Sequence, residues 1–138
     1  MNRRSSQTRA MALRYIEDEI VEVSVAPGWN EMETSDVANE NITAFIELVQ
    51  GQKVAVLVKM PNHHLLPEAR QAYRDRSVPM HCIALVAPSS LKKLIASLLV
   101  STFGKRAPAP TKVFKARQEA LEWINNNFLS NNTAPAFE

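Results

Sequence analysis

A chain of 138 residues fits one domain. It buries about two-thirds of the surface its unfolded form exposes, so neither a disulfide nor a metal is required for folding. The 46% hydrophobic content is too high for a disordered chain, and the net charge of +2 is small. A single cysteine, Cys82, rules out an internal disulfide and suits a reducing, cytoplasmic compartment.

The first ten residues are polar and basic, with Arg3, Arg4 and Arg9. No apolar run follows them, so they do not form a secretory signal. They read as a loose tail over 1–10, not as a nucleic-acid arm. No stretch approaches the roughly 18 apolar residues of a membrane span. Residues 12–16 are a short edge-strand candidate. After Glu17 and Asp18, the β-branched run Ile20, Val21, Val23 and Val25 predicts a second strand, close enough to the first for a hairpin. Pro27-Gly28 ends it.

Thr34 can cap a helix whose first turn holds Ser35 and Asp36. Ala38, Ile42, Phe45 and Val49 then form an amphipathic stripe, and Gly51 is a suitable stop. Val54 to Val58 are apolar without alternation, which predicts a strand covered on both faces. After a loop at 61–64, Pro67 opens a second helix at its first position, with Ala69, Ala72 and Tyr73 facing inward. Residues 81–87 form another doubly covered strand. Pro88, Ser89 and Ser90 lead into a third helix. Its apolar surface is broad: Leu91, Leu94, Ile95, Leu98, Leu99, Val100 and Phe103. Residues 107–110 alternate Ala and Pro as a stiff connector. A short strand at 111–115 and a last helix at 117–128, with Ala120, Leu121, Ile124 and Phe128 inward, complete the domain. A loose tail follows at 129–138.

The expected class is α/β. An N-terminal β-hairpin precedes β-α units, giving a mixed sheet of about five strands with four helices and right-handed crossovers. The domain spans 11–128.

Charge is unevenly spread along the chain. Nine acids and no Lys or Arg lie between Glu17 and Glu47. Eight bases and no Asp or Glu lie between Arg76 and Arg117. Two solvated faces within one domain account for this, since sequence blocks need not be surface patches. The functional alternative is an acidic and a basic patch that steer partners or pair between subunits.

The order of pieces carries a resemblance. An acidic hairpin, a helix and an apolar strand come first. Pro67-Glu68-Ala69-Arg70, Cys82-Ile83-Ala84-Leu85-Val86 and a broad apolar helix follow. The chain closes with Pro110-Thr111-Lys112-Val113-Phe114 and Glu119-Ala120-Leu121-Glu122-Trp123-Ile124. Over roughly residues 11–128 this resembles the bacterial STAS/CRAL-TRIO-like domains related to anti-anti-sigma factors, including members of unassigned function. The resemblance implies a mixed sheet with helices packed mainly on one face, and regulation by protein contacts or small-ligand binding, not catalysis. Its relatives are switched by phosphorylation of a serine after a central strand. Here residues 59–76 contain no Ser or Thr, so no phosphosite is carried over.

The chemistry-bearing residues are few. His63 and His64 follow one strand while His81 begins another. Parallel strands place them at opposite ends of the sheet, on the order of 20 Å apart, so no metal site is expected. Cys82, within an apolar strand, reads as a small hydrophobe. Only three glycines are present, and no Walker loop, dinucleotide fingerprint or nucleophile elbow occurs. His63 and His64 with Arg70 and Arg74 are candidate anion ligands, against which stands a plain solvated basic face. Trp29, in a loop, is a candidate exposed contact.

The third helix admits three readings: deep burial, a lipid-like pocket beneath it, or a subunit interface through Leu91, Ile95, Leu98, Leu99 and Phe103. A homodimer is expected, from the breadth of that helix and from two apolar strands whose second face needs cover if helices lie mainly on one side of the sheet. The leading expectation is a non-catalytic, protein-binding regulatory module without cofactor, metal or nucleic-acid partner. The alternative is a binder of a small apolar ligand, and an enzyme ranks third.

Overall fold

The computed structural model describes residues 4–59, 67–76, 78, 80–87 and 109–129. Nine elements appear among them: β1 (Ser5–Gln7), β2 (Met11–Glu17), β3 (Ile20–Val25), α1 (Ser35–Val49), β4 (Val54–Lys59), α2 (Pro67–Asp75), β5 (Met80–Val86), β6 (Thr111–Phe114) and α3 (Arg117–Asn127). The strands form one mixed sheet in sequential order, β1-β2-β3-β4-β5-β6. The pairs β1–β2 and β2–β3 are antiparallel. The pairs β3–β4, β4–β5 and β5–β6 are parallel. The α/β class and the opening hairpin followed by β-α units therefore hold. The third predicted helix lies outside the described residues.

The sheet has six strands instead of about five, because part of the expected 1–10 tail pairs with the hairpin. Ser5, Ser6 and Gln7 stand opposite Arg14, Leu13 and Ala12, and the Arg4 guanidinium sits 4.7 Å above the centre of the Tyr15 ring. Backbone hydrogen bonding makes this strand and needs no apolar side chains, so its composition gave no signal. It also moves β2 off the sheet edge.

Local rules explain α1. The Thr34 hydroxyl accepts from the Val37 N–H at 3.3 Å, as an N-cap should. At the far end Gln50 (φ 50°) and Gly51 (φ 82°) are both left-handed, and the Gln50 N–H returns to the Ile46 carbonyl. Glycine takes this conformation at no steric cost, whereas Gln50 does not. Val37, Ala38, Ile42, Phe45, Leu48 and Val49 are buried along its inner side.

Both sheet faces carry helices among the described residues, two on one side and one on the other. On the first face, Leu13, Val21, Val23, Val54 and Val56 pack against Phe45, Leu48 and Val49 of α1. On the second, Ile20, Ala55, Leu57, Cys82, Ala84 and Phe114 pack against Ala120 and Ile124 of α3. Trp123 adds ring contacts with Phe114 and Phe128 at centroid distances of 5.5 and 4.9 Å. The strand sequence β3-α1-β4-α2-β5 moves steadily across the sheet, so right-handed crossovers put α1 and α2 on the same side. The helix after the last strand is free to return across the other side. The second face is thus met from within the chain.

Helix α2 rides on α1 more than on the sheet. Its inner residues Ala69 and Ala72 contact Ala38 and Ile42 of α1. Alanines let two helices approach closely but fill little space beneath them.

Candidate functional site

The space under α2 is a cavity of about 200 Å³. Met11, Val23, Val56, Val58, Met80 and Ile83 of the sheet form its floor, and Ile42 and Phe45 of α1 one wall. Three polar residues border it: Asn41, Tyr73 and Arg76. The cause is visible in the sequence of α2, whose two buried alanines bring it onto α1 without supplying a large side chain to occupy the sheet surface below.

Asn41 and Tyr73 belong to a buried polar chain. The Tyr73 hydroxyl donates to Glu33 Oε1 at 2.6 Å. The Asn41 amide donates to Tyr73 Oη at 3.1 Å and to Glu33 Oε1 at 3.3 Å, while its carbonyl oxygen accepts from the Thr8 hydroxyl. Thr8 Oγ1 in turn accepts from the Met11 N–H at 3.0 Å. Glu33 and Asn41 are only 4% and 1% exposed, so these bonds replace water that each group has lost. Burial, then the adjacent Glu33 charge and the hydrogen bond to it, push the Tyr73 phenol up. It therefore remains a protonated donor. Tyr73→Phe is expected to cost about 1–3 kcal/mol, because the Glu33 carboxylate stays buried with one donor fewer. Urea denaturation checks this, and an unchanged midpoint would show the chain contributes nothing.

Arg76 follows the end of α2. Its Nη1 donates to the Asn39 side-chain oxygen at 2.9 Å and, weakly, to the Asn39 carbonyl at 3.4 Å. Its Nη2 donates to Thr43 Oγ1 at 3.2 Å. All of these acceptors are neutral.

On the opposite face, Glu22 is a second buried carboxylate, 5% exposed. It sits directly across the hairpin from Arg14. Arg14 Nε and Nη2 each reach Glu22 Oε1 at 2.9 Å, and Arg117 Nε reaches Oε2 at 2.9 Å. Burial raises the Glu22 carboxyl, but the hydrogen bonds and charges of Arg117 and Arg14 outweigh it and hold the group below its ordinary range. Arg117 opens α3, where the helix dipole disfavours a cation; the Glu22 bond accounts for its place. This clamp joins sheet to helix.

Other candidates stay apart from the cavity. Burial pushes the Cys82 thiol up to about 12, so no thiolate forms near neutral pH. His81 Nε2 faces Glu19 Oε1 at 3.8 Å. No group of three or more His, Cys, Asp or Glu side chains among the described residues could hold a metal ion.

Of the residues singled out from sequence, Trp29 lies half-buried in the turn after β3, its backbone N–H donating to the Ala26 carbonyl at 3.1 Å. Arg70 and Arg74 lie one turn apart on α2, but their side chains lie outside what is described. His63, His64, Leu91, Ile95, Leu98, Leu99 and Phe103 also lie outside the described residues. Sequence reasoning missed Glu22, Glu33, Asn41 and Arg76. Glu22 and Asn41 carried a signal, a polar residue inside an apolar strand and one beside a helical stripe; Glu33, in the loop before α1, and Arg76 carried none.

No helix among the described residues is long and apolar enough to cross a membrane. A family model described as a domain of unknown function (DUF7793) matches residues 14–127, and the chain belongs to that family. No curated protein matches it, and no solved structure matches it.

Proposed function

We propose that this member of the DUF7793 family is a non-catalytic binding module that takes a small, largely apolar ligand between α1, α2 and the sheet. The observation that carries the reading is the cavity of about 200 Å³ floored by Val23, Val56, Val58, Met80 and Ile83. An enclosed apolar cavity near 150 Å³ accepts a benzene-sized molecule, and this space, partly open to solvent, has room for a body of that size. Water gains little there, so an apolar body that fills the space is favoured by about 25 cal/mol for each Å² it removes from water. The polar groups of Asn41 and Tyr73 are engaged with Glu33 and Thr8, which suits holding a molecule better than transforming one.

The order of an opening hairpin followed by β-α units supports the STAS-like resemblance, and with it a regulatory role read out by a partner protein. Ligand binding is the better supported of the two functions, since the cavity has a lining to argue from.

Native mass spectrometry of freshly purified protein tests the reading. Wild-type protein should carry added mass, or gain thermal stability with 1-hexanol or toluene. Val58→Phe, which projects a larger side chain into the cavity, should abolish both while remaining folded. Bare protein, indifferent to both probes and to the substitution, would dismiss the proposal.

A further inference from the structure

We propose that the outer edge of β1 is a docking strand for an extended, basic segment of a partner protein, which pairs with the sheet beyond β1 and lays alternate Lys or Arg side chains against an acidic shoulder of α1. This surface shares no lining residue with the cavity beneath α2.

Among the described residues β1 ends the sheet, with only β2 beside it. The phase of its hydrogen bonds fixes which backbone groups are left over. The Tyr15 N–H donates to the Arg4 carbonyl at 2.9 Å, and the Thr8 N–H to the Met11 carbonyl at 2.8 Å. In an antiparallel ladder such bonded pairs alternate with non-bonded ones. Ser6 therefore also turns its backbone to Leu13, while Ser5 and Gln7, opposite Arg14 and Ala12, turn theirs outwards. The N–H and C=O of Ser5 and Gln7 have no partner among the described residues, and such a row of groups is a template for strand addition. Of the devices that guard sheet edges, Pro, Lys and a bulge are absent from Ser5–Gln7. Only its length of three residues restrains pairing, so side chains have to contribute as well.

Helix α1 supplies their counterparts. An open groove of about 630 Å³ runs between β1 and α1, with the buried Ala44 in its lining. Asp36, Glu40 and Glu47 line its helix side. Spaced by four and seven residues, they share one face of α1 and span about 16 Å, the reach of about five extended residues. Ser6 stands opposite Leu13, which packs towards α1. Every second side chain of a strand added beyond β1 would point to that same face. The groove is lined by these three carboxylates and one guanidinium, that of Arg9. Arg9 pairs with Glu40 at 3.3 Å, which leaves Asp36 and Glu47 without an ion pair among the described residues. Arg76 bonds Asn39 and Thr43 from the α2 side of the helix. A long basic side chain can cover Ala44 with its stem while its head stays hydrated beside the acids. The same carboxylates repel phosphate, so nucleic acid and anionic lipid fit the groove poorly.

Fluorescence anisotropy at low ionic strength, with three labelled peptides, tests the proposal. The first is Thr-Lys-Val-Lys-Val-Lys-Thr. The second has Glu for each Lys, and the third is the Lys peptide methylated at every backbone nitrogen, which keeps the charge and removes the N–H donors. Wild-type protein should bind the first at least about tenfold more tightly than either of the others. Asp36→Asn with Glu47→Gln, which leaves the Arg9–Glu40 pair in place, should weaken that binding about tenfold, as the loss of two exposed ion pairs allows. Gln7→Pro removes an outward N–H that makes no ladder bond, a place where an edge strand tolerates proline. It should weaken binding by a similar factor and leave the urea midpoint unchanged. The methylated peptide keeps the backbone test independent of that variant's stability. Equal binding of the Lys and Glu peptides, undiminished binding of the methylated one, or no binding at millimolar peptide overturns the proposal. A dimer in light scattering that Gln7→Pro dissolves would assign the edge to a second copy of the chain and overturn the partner segment.

Discussion

Replacing Arg14 and Arg117 together by alanine should cost the fold about 3–5 kcal/mol, the usual cost of leaving a buried charge without its partners. Glu22 is held from two sides, by Arg14 across the hairpin and by Arg117 at the start of α3, each at 2.9 Å. The arginine side chains are 62% and 47% exposed against 7% for the carboxylate. Losing Glu22 instead leaves two guanidinium groups that water can solvate, so Glu22→Gln should cost less, about 1–2 kcal/mol.

The pH dependence separates these cases. In the wild type the folded Glu22 carboxyl titrates below its ordinary value of 4.5. Its contribution is complete above that value and is lost as pH falls through the folded pKa. In the double alanine variant, burial acts without opposition and raises the folded pKa above 4.5. Acidification then adds stability from this group instead of removing it. Urea denaturation of wild type, E22Q and R14A/R117A between pH 3 and 7 reads the difference, since other carboxylates contribute equally to all three. A double variant within about 1 kcal/mol of wild type, with an unchanged pH slope, would show that the clamp is ornamental.

Ile124→Ala should cost about 2–5 kcal/mol. Ile124 is fully buried in the cluster that joins α3 to Leu57, Cys82 and Phe114. Its removal opens a void in a layer that other elements cannot easily collapse to fill. Ile46, on the outer side of α1 and 41% exposed, is the matched control and should tolerate alanine within about 0.5 kcal/mol. Equal effects at the two positions would mean that α3 is not the cover of the second face.

The elements easiest to read from the sequence were those with continuous apolar runs or strong end signals. Val54 to Leu57 and Cys82 to Leu85 are buried throughout, as unbroken apolarity requires of strands covered on both sides. Helix α1 begins after its Thr34 cap and ends at Val49, two residues before Gly51. The inner residues Ala120 and Ile124 of the last helix are also as expected. Their face of the sheet was not legible, because periodicity describes a helix's own side and not the surface it meets. Strand β1 was invisible for a different reason: its pairing is made by backbone groups that every polar tail possesses.

The candidate site was less legible still. Glu22 and Arg117 are 95 positions apart, and Glu33 and Tyr73 are 40 apart, so no local pattern links them. Asn41 could have raised suspicion, since it adjoins Ile42 on the inner side of α1. The cavity itself follows from an absence, the small Ala69 and Ala72 where larger residues would have filled the layer. Sequence shows that α2 has an alanine face. Only the packing shows that the space beneath it stays open.

Methyl-resolved NMR during titration with 1-hexanol or toluene puts the cavity to its most direct trial. Signals of Ile42, Val56, Val58 and Ile83 should shift together and saturably, while Ile124 and Ala120 across the sheet stay still. A titration that moves none of the four, or that moves the α3 side instead, would contradict a ligand site under α2.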